Sequence, residues 1–127
     1  MLDKLLLEQL GRRFPGLAFQ ALVRGGEVLN DATVQDAEYV GIDRVAEILS
    51  NGAAIAGTVY EMMPDPARQA LDRADVILAK GQGNYESLSG QGHHVFFAFL
   101  CKCDLFIRRF GVPPLTGMLV EERGTAV

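Results

Sequence analysis

Cysteine is scarce in this sequence, because Cys101 and Cys103 are the only two among 127 residues. Their spacing within one predicted strand points both side chains to the same face, without the geometry of an ordinary disulfide. The pair could bind a soft metal, but with no second Cys or His pair nearby two buried small side chains are the better interpretation. We therefore expect free thiols and a reducing, cytoplasmic location.

Basic residues are also few, since 12 Lys and Arg stand against 16 Asp and Glu and give a net charge of -4. No stripe of positive charge extends beyond the pairs Arg12-Arg13 and Arg108-Arg109. A nucleic-acid partner is disfavoured by this balance. We expect the partner to be a small molecule.

Long hydrophobic runs are missing as well. The longest, such as residues 95–101, are too short to cross a bilayer. Asp3 and Glu8 stand where a signal peptide would carry basic residues and then an apolar core. We therefore expect neither export nor a membrane partner.

The composition that is present, 49% apolar and 22% charged, is typical of a globular protein, and residues 1–127 fit a single domain. Short apolar runs alternate with segments of helical spacing along the chain. The predicted helices are residues 1–14, 33–40, 67–73 and 104–110, and the predicted strands are residues 17–23, 27–29, 45–49, 75–79, 95–101 and 118–121. Residues 53–63 are rich in helix formers but contain Gly57.

This alternation predicts an α/β fold, a three-layer α/β/α arrangement around a mainly parallel sheet. Such domains usually open on a central strand, whereas this chain opens on a helix with no capping residue before it. We therefore expect the first strand to be absent and the chain to be the C-terminal part of a larger domain. A sheet edge exposed in this way would favour a homo-oligomer.

Ligands of open α/β sheets bind beyond the carboxyl ends of the strands, which restricts the search for a site. The polar residues just past the predicted strand ends are Asn30, Asp31, Asn51, the run from Lys80 to Asn84, and Lys102. Together these side chains suit a metal ion and a phosphate group. His93 and His94 are adjacent, cannot easily chelate one ion, and are interpreted as loop or strand-edge residues.

The run Lys80-Gly-Gln-Gly-Asn84 is the strongest candidate. Its two glycines let backbone N–H groups approach an anion, while Lys80 adds charge and Asn84 adds amide donors. The alternative is a tight turn that needs positive φ at both glycines. A nicotinamide-binding loop is disfavoured, because Glu86 stands where the third glycine of that pattern should be.

The other candidates each have an ordinary structural explanation. Asp31 beside Asn30 offers oxygen ligands for Mg²⁺ or Mn²⁺, but both residue types are also common helix caps. Lys102 interrupts an apolar run and could either face the strand mouth or extend to solvent. Asn51 precedes a glycine, which is first of all a turn signal, and is a minor candidate for the site.

An ordered series of motifs resembles the damage-control phosphatases, a family long known as a domain of unknown function. The series is Val23-Arg-Gly25, Val28-Leu-Asn-Asp-Ala-Thr33, Asp36-Ala37, Ser50-Asn-Gly52, Ala74-Asp-Val-Ile77, Lys80-Gly-Gln-Gly-Asn-Tyr-Glu86 and Lys102-Cys103. The resemblance implies an α/β fold and hydrolysis of phosphorylated metabolites, such as sugar phosphates or damaged cofactor precursors, with Mn²⁺, Co²⁺ or Ni²⁺.

By that resemblance Asp31 is the third metal-binding residue and Lys102 the substrate-binding lysine, both expected to be catalytic. The residues expected to contact the substrate's phosphate are Lys80, Gly81, Gln82, Gly83, Asn84, Tyr85, Glu86 and, as the minor candidate above, Asn51.

One departure from the family divides the functional expectation. The family's other two metal ligands form an adjacent Asp-Asn pair, in a motif like Asp-Asn-Ala-Gly-Glu, upstream of the helix that begins here at Met1, and an N-terminal helical region precedes them. Neither segment is in this sequence. The first expectation is a metal-dependent phosphatase, with activity that truncation could remove. The second is a non-catalytic module that binds a phosphate ligand or supports assembly.

Overall fold

The computed structural model describes residues 1–124 of the chain. Five α-helices and five strands occur within these residues. The helices are α1 (Leu2–Arg13), α2 (Val34–Tyr39), α3 (Asp65–Arg73), α4 (Gln82–Leu88) and α5 (Asp104–Phe110), and the strands are β1 (Gln20–Val23), β2 (Glu47–Ser50), β3 (Ile77–Lys80), β4 (Val95–Cys101) and β5 (Thr116–Glu122). The chain divides into two compact units.

The first unit comprises Met1–Ile55 and Glu61–Ala70. Its strands β1 and β2 are parallel, with Val23 opposite Ser50 at their carboxyl ends. Helix α2 begins at a capping box in which the side chains of Thr33 and Asp36 each accept from the other's backbone N–H. The core of this unit contains the buried side chains of Ala37, Ile42 and Ala46. The side chains of Leu7, Phe19 and Ile48 pack against them.

The second unit comprises Ala56–Tyr60 and the chain from Leu71 onward. Its three strands are ordered β3-β4-β5, with β3 parallel and β5 antiparallel to β4. One face of β4 is buried, and Phe97 on that face is 0% exposed. The ring of Tyr85 from α4 lies 5.0 Å from that of Phe97 and 4.9 Å from that of Phe99. Helix α4 therefore packs on the sheet through an aromatic core.

The predicted α/β class is confirmed, and two of the three strand pairings are parallel. The hydrogen-bonded strands form two sheets, of two and three strands, where one sheet was predicted. The predicted strand at residues 27–29 is wrong, because Leu29 has a φ of 50° and the segment turns. Residues 53–63 form a loop that ends in the 3₁₀ turn Tyr60–Met62.

The run after β3 was predicted as a loop and is instead the start of helix α4. Tyr85 and Leu88 are three residues apart and both buried, so they give this short helix its apolar face. Strand β4 ends at Cys101, so the shared strand face predicted for both cysteines is also wrong, and Cys103 instead precedes α5. Both thiols are free, and no described helix is long and apolar enough to span a membrane.

Two carboxylates make the stability of the fold sensitive to acid. Hydrogen bonds from Thr33 lower the pKa of Asp36, and a hydrogen bond with His94 is the main cause that lowers the pKa of Glu121. A carboxyl whose pKa is lowered on folding stabilises the protein above its unfolded pKa, and this contribution is lost as the pH falls through the folded pKa. We expect the urea midpoint to fall as the pH drops below the ordinary values of 4.5 and 3.8.

The pH dependence can be assigned by substitution. In the Asp36→Asn chain the side chain no longer titrates, so the loss of stability between neutral pH and strong acid should be smaller than in the unchanged chain. Urea unfolding at a series of pH values, followed by circular dichroism, measures this. An identical pH dependence in both chains would contradict the role given to Asp36.

Candidate functional site

The carboxyl ends of β1 and β2 support two polar loops in the first unit. The chain leaves β1 through Arg24, whose backbone N–H donates to Ala32 O at 2.9 Å and whose backbone bridges Thr33 in parallel. This pairing draws the segment that contains Asp31 alongside the end of β1. Asp31 was predicted to follow a strand at residues 27–29, which does not form, and the structure instead places its segment beside the end of β1.

Asp31 is half-exposed and ion-paired. Arg24 Nε donates to Asp31 Oδ2 at 2.8 Å, and the Asp31 side chain is 40% exposed. An open depression of about 370 Å³ lies beside it, with Glu27 and Asp36 among the lining residues. Thr33, and not Asp31, caps helix α2. The capping explanation for Asp31 is therefore wrong, and its carboxylate is oriented by an arginine.

Asn51 is buried and holds the two loops together. It is 2% exposed, and its Oδ1 accepts from Gly25 N at 3.0 Å and from Ala53 N at 3.2 Å. A backbone carbonyl, Ala53 O, also accepts from Gly25 N at 3.0 Å. This network gives the side-chain oxygen of Asn51 a structural role, and contact between Asn51 and a substrate stays a prediction.

In the second unit, Lys80 and Lys102 lie at the carboxyl ends of adjacent parallel strands. Lys80 ends β3, and Lys102 directly follows β4, which pairs with β3 in parallel. Both lysines are exposed. Between Lys80 and α4, Gly81 has a φ of +89° and donates its N–H to Ala98 O at 2.9 Å, whereas Gly83 is helical. The tight-turn explanation thus holds for Gly81 alone.

Gln82 connects the helix to the second lysine. Its Oε1 accepts from the backbone N–H of Lys102 at 3.2 Å, and its Nε2 donates to Glu86 Oε1 at 2.8 Å. The Glu86 carboxylate thereby orients the amide of Gln82, and Gln82 fixes the backbone where Lys102 leaves the strand. Hydrogen bonds thus join Gln82, Glu86 and Lys102, whereas Lys80 lies opposite Ala98, four residues before Lys102 in the strand register.

Asn84 and Tyr85, from the same run, have structural partners. Asn84 Nδ2 donates to Lys80 O at 2.8 Å, which closes the turn from β3 into α4. The ring of Tyr85 is 6% exposed and packs among phenylalanines, so this side chain belongs to the core. Contact of either residue with phosphate stays a prediction.

Sequence reasoning missed Thr58, which contacts α4, and Ser87, its partner near the end of that helix. Thr58 is 5% exposed, its Oγ1 donates to Asn84 Oδ1 at 3.0 Å, and its backbone N–H donates to Ser87 Oγ at 2.8 Å. The signal was Gly57, which interrupts a run of helix formers. A Cβ at Gly57 would lie 2.5 Å from Gly83 O, so the close approach requires glycine.

The predicted site residues thus form two groups, each at the carboxyl ends of parallel strands. Asp31 and Asn51 belong to the first unit, and Lys80 to Glu86 with Lys102 belong to the second. Within residues 1–124 there is no group of three or more His, Cys, Asp or Glu side chains that could hold a metal ion. Asp31 therefore suits a hard cation as one oxygen ligand, but the described residues do not complete a metal site.

Comparison with known proteins identifies the family of this chain. The model of the damage-control phosphatase ARMT1-like domain matches residues 1–115. A damage-control phosphatase of Archaeoglobus fulgidus is 40% identical over 112 residues, which are 87% of this chain and 38% of the relative. One of Pyrococcus horikoshii is 33% identical over 112 residues, 87% of this chain and 39% of the relative.

A solved structure agrees. The crystal structure of a DUF89 family protein from Pyrococcus horikoshii matches with a TM-score of 0.84 at 33% identity, covering 97% of this chain and 42% of that one. The chain spans about two fifths of the length of the relatives it matches. From its matching motifs, sequence relatives and fold, the chain belongs to the damage-control phosphatase ARMT1-like family.

Proposed function

We propose that this chain takes part in the hydrolysis of phosphate monoesters of small metabolites, with a divalent metal such as Mn²⁺, Co²⁺ or Ni²⁺. One observation carries the proposal. Two exposed lysines, Lys80 and Lys102, stand at the ends of neighbouring parallel strands, and a side-chain amide, that of Gln82, ties their loops together. Membership of a family of damage-control phosphatases supports the same conclusion.

The phosphate-binding roles follow from charge and backbone geometry. The ammonium groups of Lys80 and Lys102 would neutralise the phosphoryl oxygens, whose charge increases as the ester bond breaks. Helix α4 has no side-chain cap at Gly81, so the N–H groups of its first turn, including that of Gln82, would add donors to the same group. Glu86 would act through Gln82, by holding its amide in the bridging orientation.

Metal dependence rests on Asp31. Its carboxylate is held by Arg24 and is a hard oxygen donor, the type that Mn²⁺ and Mg²⁺ prefer. A divalent metal that this carboxylate helps to bind would supply Lewis-acid chemistry. Because the described residues offer no three-ligand group, Asp31 is the one ligand that we assign to this chain.

The two exposed lysines, Lys80 and Lys102, also favour a second candidate function. Residues 1–124 contain both lysines but no group of three or more possible metal ligands, and such a chain would bind phosphate esters without hydrolysing them. Such a binding module would recognise the phosphate through Lys80 and Lys102 regardless of any metal. The two candidates therefore differ in whether metal and phosphate binding are linked.

Calorimetry with the Asp31→Asn chain separates the candidates. Asparagine keeps the size of the side chain and an acceptor for Arg24 but removes the charge that a cation needs. We expect Asp31→Asn to weaken Mn²⁺ binding by about tenfold or more, which is about 1.4 kcal/mol. The matched control is Asp43→Asn, at an exposed position in the 3₁₀ turn Ile42–Arg44, and it should bind Mn²⁺ like the unchanged chain.

Phosphate binding completes the comparison. The phosphatase proposal predicts that Mn²⁺ tightens binding of inorganic phosphate and that Asp31→Asn removes this effect. Phosphate binding that ignores both the metal and Asp31→Asn would favour the binding module. No binding of phosphate under any of these conditions would contradict both candidates.

A further inference from the structure

Thr58, Asn84 and Ser87 form a hydrogen-bonded group within and beside residues 80–88, and we name this group the Thr58 clasp. Thr58 contacts both of the others, because its hydroxyl donates to Asn84 Oδ1 at 3.0 Å and its backbone N–H donates to Ser87 Oγ at 2.8 Å. Ser87 Oγ in turn donates to Gly83 O at 2.9 Å. Thr58 therefore contacts α4 at two positions, Asn84 in its first turn and Ser87 near its end.

The clasp is built at close range. Gly57, with a φ of +91°, lets the backbone before Thr58 approach α4 so closely that an added Cβ would lie 2.5 Å from Gly83 O and 2.7 Å from Ser87 Oγ. Thr58 itself is 5% exposed. A buried hydroxyl in so tight a contact has little freedom to turn, which makes its hydrogen bond a geometric constraint.

The constraint reaches the loop through the amide of Asn84. The oxygen and nitrogen of a planar amide point in different directions. When Asn84 Oδ1 accepts a hydrogen bond from Thr58 Oγ1, Asn84 Nδ2 is directed toward the carbonyl of Lys80, to which it donates at 2.8 Å. Lys80 and the turn at Gly81 follow directly from that carbonyl. Two hydrogen bonds in series therefore connect the buried hydroxyl of Thr58 to the backbone carbonyl of Lys80.

We propose that Thr58 is a positioning residue for phosphate binding, acting through Asn84 on the backbone of Lys80. The proposal rests on the proposed phosphate-binding function of this loop and adds a residue that no motif had indicated. Thr58 does not contact the phosphate. It holds the amide of Asn84 in the orientation that closes the turn between β3 and α4.

The test compares phosphate affinity in Thr58→Val, which keeps the shape of the side chain but removes the hydroxyl, with that in Thr58→Ser, which restores it. Calorimetry with inorganic phosphate should show roughly tenfold weaker binding for Thr58→Val and near-normal binding for Thr58→Ser. The control is Thr33→Val, another buried threonine that is 9% exposed and caps helix α2. It should lower the unfolding midpoint without changing phosphate affinity.

A second measurement covers the case in which Thr58→Val folds poorly. Asn84→Ala removes the same hydrogen bond from the other partner and should weaken phosphate binding by a similar factor, roughly tenfold. The hydrogen exchange of the Asn84 side-chain amide, followed by nuclear magnetic resonance, should be faster in Thr58→Ala, which also lacks the hydroxyl, than in the unchanged chain.

The results distinguish failure of the proposed phosphate binding from failure of the positioning role of Thr58. If the unchanged chain binds no phosphate, the proposed function fails, and the exchange of the Asn84 amide still shows whether Thr58 orients it. Phosphate affinity that is equal in a folded Thr58→Val and in the unchanged chain would overturn the positioning role. So would an equal fall in affinity for Thr33→Val, because the effect would then follow from lost stability.

Discussion

Substitution of Gly25 by alanine is expected to lower the free energy of unfolding by about 3 kcal/mol, the upper part of the range for overpacked sites. An added Cβ would lie 2.5 Å from the backbone N of Ala53 and 2.6 Å from the carbonyl carbon of Gly52. Both are main-chain atoms and cannot rotate away. The two loops would separate, and the hydrogen bond from Gly25 N to Asn51 Oδ1 would be lost.

The matched control is Gly16→Ala. Gly16 has no heavy atom within 4 Å of an added Cβ and no positive φ, so this substitution should change stability by less than about 0.5 kcal/mol. Urea unfolding of both variants, followed by circular dichroism, measures the difference. Equal stabilities for the two variants would show that the loops after β1 and β2 do not approach each other as closely as described.

Removal of the charge at Lys102 is expected to have the largest effect on phosphate chemistry. Lys102→Met keeps most of the length and the apolar stem but removes the ammonium group. If this lysine stabilises charge on the phosphoryl group, the rate of phosphate release should fall by about 10²-fold, as for other donors that stabilise a transition state. Gln82 contacts the backbone of Lys102, so the loop itself should keep its conformation.

The control for Lys102 is the lysine outside the proposed site. Lys4 lies on α1 with Glu8 within 3.8 Å, and Lys4→Met should leave phosphate release unchanged. A comparison of rates at saturating substrate separates a loss of charge stabilisation from weaker binding. Equal rates for Lys102→Met and the unchanged chain would remove Lys102 from the proposed site.

Local sequence patterns predicted the helices and strands whose first or last residues are marked by capping residues, glycine or an apolar run. Strand β4 follows from an unbroken apolar run, and α5 ends at a glycine with a φ of 63°. The start of α2 follows from Thr33 and Asp36 at capping-box spacing. In each of these cases the residues that determine the structure are close together in the sequence, so a short stretch of sequence is enough to predict it.

The features that were missed depend on contacts between distant residues. The bond between Thr58 and Asn84 and that between Gly25 and Asn51 each join positions 26 residues apart. No local pattern marks such partners, and Asn51 before a glycine reads first as a turn. Helix α4 was missed because its glycines suggest a loop, whereas its helical form depends on burial of Tyr85 against the sheet.

For the candidate site, the sequence predicted which strand ends carry polar residues but not what each side chain contacts. Lys80 and Lys102 are both exposed, at the ends of two strands that pair in parallel. Asn51 and Asn84 instead bind backbone groups within their own units. An amide before or after a strand can serve either purpose, and only its partners in the fold distinguish the two.

The most direct test of the phosphatase proposal is release of inorganic phosphate from p-nitrophenyl phosphate, measured with and without added Mn²⁺, Co²⁺ or Ni²⁺. The proposal predicts release that requires one of these metals, is lost in Asp31→Asn and falls by about 10²-fold in Lys102→Met. Phosphate binding without metal-dependent release would contradict it and leave the non-catalytic binding module as the function of the chain.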